Sequence, residues 1–168
     1  MAASAFTNFL ERIEDSDLRA VALHWNEARQ SKLMPAWNDI DPAKIRRQLG
    51  IVWAYRYDHA SASFIARLAG EEIERAFGKT FRGKPMRELF PASEFEDMFR
   101  RHLRIVADPC FLHGAGFVFD NLGQSGTGER IAMPLADDGV RADGIFGATK
   151  YVLGKAARQE YEEYLPVA

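Results

Sequence analysis

The chain has 168 residues, 47% of them hydrophobic, with a formal net charge of −2. This fits one domain with flanking segments, and the slightly acidic balance excludes nucleic acid as the main partner, because phosphate binding needs a basic excess. No apolar run reaches the ~20 residues of a membrane span, MAASAFTNFLERIED does not read as a signal peptide, and the lone Cys110 excludes an internal disulfide or a thiolate zinc cluster, so a cytoplasmic protein is expected.

Residues 1–50 read as N-terminal flanking helices and a loop. Phe6, Phe9, Leu10 and Ile13 fall at helical spacing. Ser16 or Asp17 is suited to cap a second helix that carries Leu18, Val21, Ala22 and Trp25 on one stripe. Pro35 disfavours helix at Met34, so SKLMPAWND is a loop. Asp41 as N-cap, Pro42 at the first helical position and Gly50 as a stop predict a short helix over 42–49.

A core is expected over 51–152. From Ile51 the period changes to two, and IVWAYRY puts Ile51, Trp53, Tyr55 and Tyr57 on one face. DHAS is a turn, and SFIARLA pairs back as a hairpin. GEEIERAFG is a short helix closed by Gly78 in a left-handed position. RGKPMRELF is a second helical scrap. Ser93 and Glu96 spell a capping box, which opens a long helix with a stripe of Phe95, Met98, Phe99, His102, Leu103 and Val106. Three strands follow: CFLHGAGFVFD, ERIAMPLAD and GIFGATKYV. NLGQSGTG reads as a long hairpin loop, and Asp137-Asp138-Gly139 as a turn. Residues 153–168 read as a charged terminal helix or tail, KAARQEYEEYL. The expected fold is α+β, a five-stranded antiparallel sheet with helices on one face and the N-terminal helices flanking it.

That element order resembles a PAS domain. Further residues resemble the PAS_5 family, an alphaproteobacterial group once catalogued as a domain of unknown function. They are Trp25 with Arg29, Met34-Pro35, Asp39-Ile40-Asp41-Pro42 with Ile45 and Leu49, and Arg67-Leu68-Ala69-Gly70. Phe77-Gly78, Gly83, Glu88-Leu89, Met133-Pro134-Leu135 and Asp138-Gly139 complete the pattern, while Trp37 stands where a small or basic residue is expected. The resemblance implies a sensory or regulatory module with a pocket between sheet and helices. It also implies dimerisation through a flanking helix, as PAS domains often do.

The expected pocket lining is Ile65, Phe77, Phe81, Met86, Leu89, Phe95, Met98, Phe99, His102, Leu103, Phe117, Phe119, Met133 and Phe146, with strand register left open. A small apolar or amphipathic ligand suits such a lining. Phe6, Phe9, Leu10, Ile13 and Trp25 either form an interface, to a second copy or a signalling partner, or cover the outer sheet face. His102 resembles in type and place the iron ligand of PAS haem sensors; the alternative is a hydrogen-bonded histidine at the core edge. Cys110 reads as a small core residue, and Arg100, Arg101 and Arg104 read as a solvated face or a site for an acidic partner or anionic nucleotide. No nucleophile–base pair is arranged by spacing. In the enzyme alternative, a small cone-shaped α+β hydrolase or isomerase, His113 and Asp120 are the candidate pair, and their seven-residue separation places them on opposite faces.

Overall fold

The computed structural model describes residues 4–121, 124–153 and 161–168. Its centre is a six-stranded antiparallel sheet of β1 (Val52–Asp58), β2 (Ser63–Ala69), β3 (Cys110–Asn121), β4 (Gln124–Leu135), β5 (Gly144–Leu153) and β6 (Tyr161–Pro166). The spatial order is β2-β1-β5-β4-β3-β6. The α+β class and the PAS-like order of elements stand; the strand count rises from five to six.

The sixth strand corrects the expected C-terminal helix. Tyr161–Pro166 pairs antiparallel with Cys110–Ala115 of β3. Its side chains alternate between two layers, so Glu163 meets Arg12 at 2.5 Å while Glu162 faces Arg101 at 3.1 Å. Helix-favouring composition yields here to a strand whose charges find partners on both sides.

Helices cover both faces of the sheet. On one lie α1 (Ala5–Arg12) and α2 (Ser16–Arg29). Ser4 caps the first by accepting from the Thr7 amide. Asp15, rather than Ser16 or Asp17, caps the second by accepting from the Asp17 and Leu18 amides. Phe6, Phe9, Ile13 and Trp25 are buried and Leu10 is half-buried, all against this chain's own core. Phe9 stacks on Phe111 of β3 with centroids 4.5 Å apart, Trp25 meets the same ring edge-on at 5.0 Å, and the Trp25 indole donates to the Pro134 carbonyl at 2.9 Å. The expected interface set is therefore spent on the outer sheet face.

The other face carries α3 (Glu71–Phe77), α4 (Met86–Leu89) and α5 (Ala92–Ala107). Gly78 ends α3 at φ 65°, as the sequence predicts. The expected capping box does not form: α5 starts at Ala92 with Pro91 as N-cap and no side-chain cap, so Ser93 and Glu96 lie inside the first turns. The helix expected over 42–49 is instead a turn followed by a 3-10 helix, Arg46–Ile51, which also takes Ile51 out of the first strand. The β4–β5 turn forms as expected, with the Asp138 carboxylate accepting from the Val140 and Arg141 amides.

Candidate functional site

Strand parity decides what each sheet face presents. Trp53 pairs with Gly147 and Tyr55 with Ala66, which puts their rings on the α5 side. A Cβ at Gly147 would lie 2.3 Å from the Trp53 ring, so only glycine leaves room for that indole to lie flat on the sheet. The Trp53 indole donates to the Thr149 hydroxyl at 3.0 Å. On β4, Ala132 and Arg130 share this face with Gly147 and Thr149 of β5.

Between this face and the short helices is a cavity of about 50 Å³. Its wall is Trp53, Tyr55, Ile73, Phe77, Phe81, Phe90, Met98, His102, Arg130, Thr149 and Tyr151. Of the sequence-predicted lining, Phe77, Phe81, Met98 and His102 are here. Phe95, Phe99 and Met86 instead line a separate open groove beside Phe64 and Pro85. Leu89 is buried and Leu103 half-buried in the packed core. Ile65 pairs with Arg56 and points to the other face. Met133 and Phe146 also point there, because they pair with each other in the parity of Glu129 and Lys150. Phe117 and Phe119 lie outside the residues whose side chains are described.

His102 is buried under the rings of Tyr55, Trp53 and Phe64, with centroids 5.3, 5.6 and 5.8 Å away. Its Nδ1–H donates to the Met98 carbonyl at 2.7 Å, which leaves Nε2 as an acceptor. Burial pushes its pKa down to about 4, so the ring is neutral at pH 7. This tautomer would suit a metal ligand, yet the space does not suit haem: ligand pockets of that class run to ~300–1,000 Å³, and three rings fill the approach. Among the described residues no cluster of three His, Cys, Asp or Glu is placed to hold a metal. Cys110 is buried, its thiol pushed up to about 11 by desolvation; it is an inert core side chain.

The sequence reading missed two polar features. Arg130 reaches the cavity wall and pairs with Glu162, which also takes Arg101 at 3.1 Å. On the opposite face, His113 is fully buried and bonds Glu129 at 3.0 Å, while Asp120, the acid paired with it in the enzyme alternative, lies outside the residues whose side chains are described. Glu129 in turn accepts from the Glu14 and Asp15 amides at 2.8 and 3.0 Å, at the joint between α1 and α2. The Tyr161 hydroxyl meets the other nitrogen of His113 at 3.0 Å. These hydrogen bonds outweigh the cost of desolvating Glu129, whose pKa falls below the usual carboxylate range. The available signal was an acid sharing the parity of Ile131 and Met133 at the edge of the strand's apolar half.

The family model of the PAS domain PAS_5 matches residues 13–149, most of the chain. The protein belongs to the PAS_5 family. No curated protein matches it. In this PAS domain the match runs from just before α2 into β5, and α1 and β6 lie outside it. A PAS-type sensory module is the coarse function that the family carries. No helix among the described residues is long and apolar enough to cross a membrane.

Proposed function

We propose that the protein senses a small ligand in the cavity beside His102 and passes its occupancy through the sheet to α1 and α2, which act on a protein partner. The single observation that carries this reading is the asymmetry of the sheet: a small cavity on one face, and on the other a buried His113–Glu129 bond that grips the α1–α2 joint. Neighbouring residues of the same strand serve the two sides, since Arg130 lines the cavity and Glu129 holds the helices. A shift of β4 caused by cavity filling changes the geometry of the Glu129 clamp one residue away. Output passes by contact rather than catalysis, because His113 is closed to any substrate and serves as a support for Glu129.

With the apolar sides of α1 and α2 turned inward, the partner, a second copy or another signalling protein, meets their outward side, where Leu23 is exposed. A cavity-filling Ile73→Phe variant tests the coupling. Amide hydrogen exchange of Glu14, Asp15 and α2 is expected to change with the sheet intact. Native mass spectrometry of fresh protein is expected to show a bound small molecule. Unchanged exchange together with ligand-free protein overturns the proposal.

A further inference from the structure

The cavity has an apolar body and one cationic end. Trp53, Phe77, Phe81 and Phe90 supply rings, and Arg130 is the charged side chain of the wall. That guanidinium is only partly used. Its Nη2 donates to Glu162 Oε1, and among the described residues Nε and Nη1 have no acceptor. Gly114 makes room for it: a Cβ there would sit 3.3 Å from Arg130 Nε.

The charge of this end is unbalanced. Glu162 Oε1 serves both Arg130 and Arg101, so two guanidinium groups share one carboxylate. Glu162's other oxygen accepts from the Tyr164 hydroxyl at 3.3 Å. The charges that act on buried His102 are those of Arg130 and Arg101, both cationic. A single added negative charge would balance this cluster, whereas a dianion would leave an uncompensated charge among aromatic rings. A planar carboxylate matches the free edge of a guanidinium better than a point anion does. At ~10–15 Å³ for each water-sized position, about 50 Å³ holds a group of only a few heavy atoms.

We propose that the cavity binds a small short-chain monocarboxylate, with its head on Arg130 and its apolar body among Trp53, Phe77, Phe81 and Phe90. The assignment rests on the sensory-pocket reading above and names the ligand class for that same site. Glu162 is then the competitor that occupies the guanidinium when the ligand is absent, which ties ligand entry to β6.

The test uses propionate and butyrate as probes, with propionamide and butyramide as uncharged matches, by isothermal titration at neutral pH and low salt. Saturable binding of an acid is expected, with its amide at least about tenfold weaker, since one charge-assisted contact is lost. Arg130→Met should weaken the acid by about ten- to hundredfold. Because that variant also strips a partner from Glu162, Glu162→Gln is the second arm. Freeing the guanidinium should tighten acid binding several-fold, an effect opposite to that of a merely structural pair. Equal binding of acid and amide overturns the monocarboxylate and leaves the sensory pocket standing. Weaker acid binding in Glu162→Gln overturns the Arg130 head-group site. If no probe binds while native mass spectrometry finds another molecule, the ligand class falls alone. If nothing binds and the protein is ligand-free, the pocket reading falls with it.

Discussion

Two aromatic clusters sit back to back on this sheet and are built to different tolerances. Around Phe111, the rings of Phe6, Phe9 and Trp25 close completely, with Phe9 and Trp25 at 0% exposure. Around His102, the rings of Trp53 and Tyr55 border unfilled space. The first cluster has its polar needs met, as when the Trp25 indole reaches the Pro134 carbonyl. The second holds an arginine whose Nε and Nη1 have no acceptor among the described residues. Dense packing makes one face rigid, and loose packing leaves the other room to rearrange.

Substitutions can break that contrast, and the largest effect belongs to the closed side. Phe111→Ala should cost about 3–5 kcal/mol, because four-ring packing cannot collapse into the gap; urea denaturation checks this. A loss below ~1 kcal/mol would mean that the Phe111 cluster is no tighter than the cavity side.

Acid should separate the two faces next. His102 is held neutral with its pKa pushed down to about 4, while the unfolded chain takes up the proton near the ordinary histidine value. The unfolded state therefore binds more protons in between, and stability falls as pH drops from about 6.5 to about 4. The total is about 3 kcal/mol for the full window. His102→Phe should flatten that slope in a series of urea midpoints, and an unaltered slope would place the acid sensitivity elsewhere.

Glu129→Gln should cost about 1–3 kcal/mol, through weakened bonds to the Glu14 and Asp15 amides and to buried His113. Its acid signature differs in position from that of His102. The folded pKa is depressed, so its contribution is present above the ordinary carboxylate value and is lost as pH falls below it. Faster exchange at the two amides, with the cavity side unchanged, is the expected readout. The smallest effect is Lys150→Ala, which removes a half-exposed 2.8 Å pair with Asp17 and should cost under ~1 kcal/mol.

Much of the fold was legible because local rules and tertiary packing agree there. SFIARLA runs over the same residues as β2, and Gly78 stops α3 where its left-handed geometry allows. Less of the site was legible. Along β4, Ile131 and Met133 on one parity and Ala132 on the other are all apolar and buried, since both faces are covered, so alternation could not say which residues meet the cavity. The residues of β6 read as a charged helix because their strand character comes from pairing with β3 and from arginines distant in sequence. Arg130 escaped notice for the same reason: its significance lies in what the register places around it.

The three indoles fall into three separate settings. Trp25 is sealed behind Phe111, Trp53 borders the cavity, and Trp37 lies under the Arg67 guanidinium at 5.3 Å. Emission from single-tryptophan variants would therefore report on each zone separately. The molecule carries its own optical probes for helix layer, cavity and loop, with no dye attached.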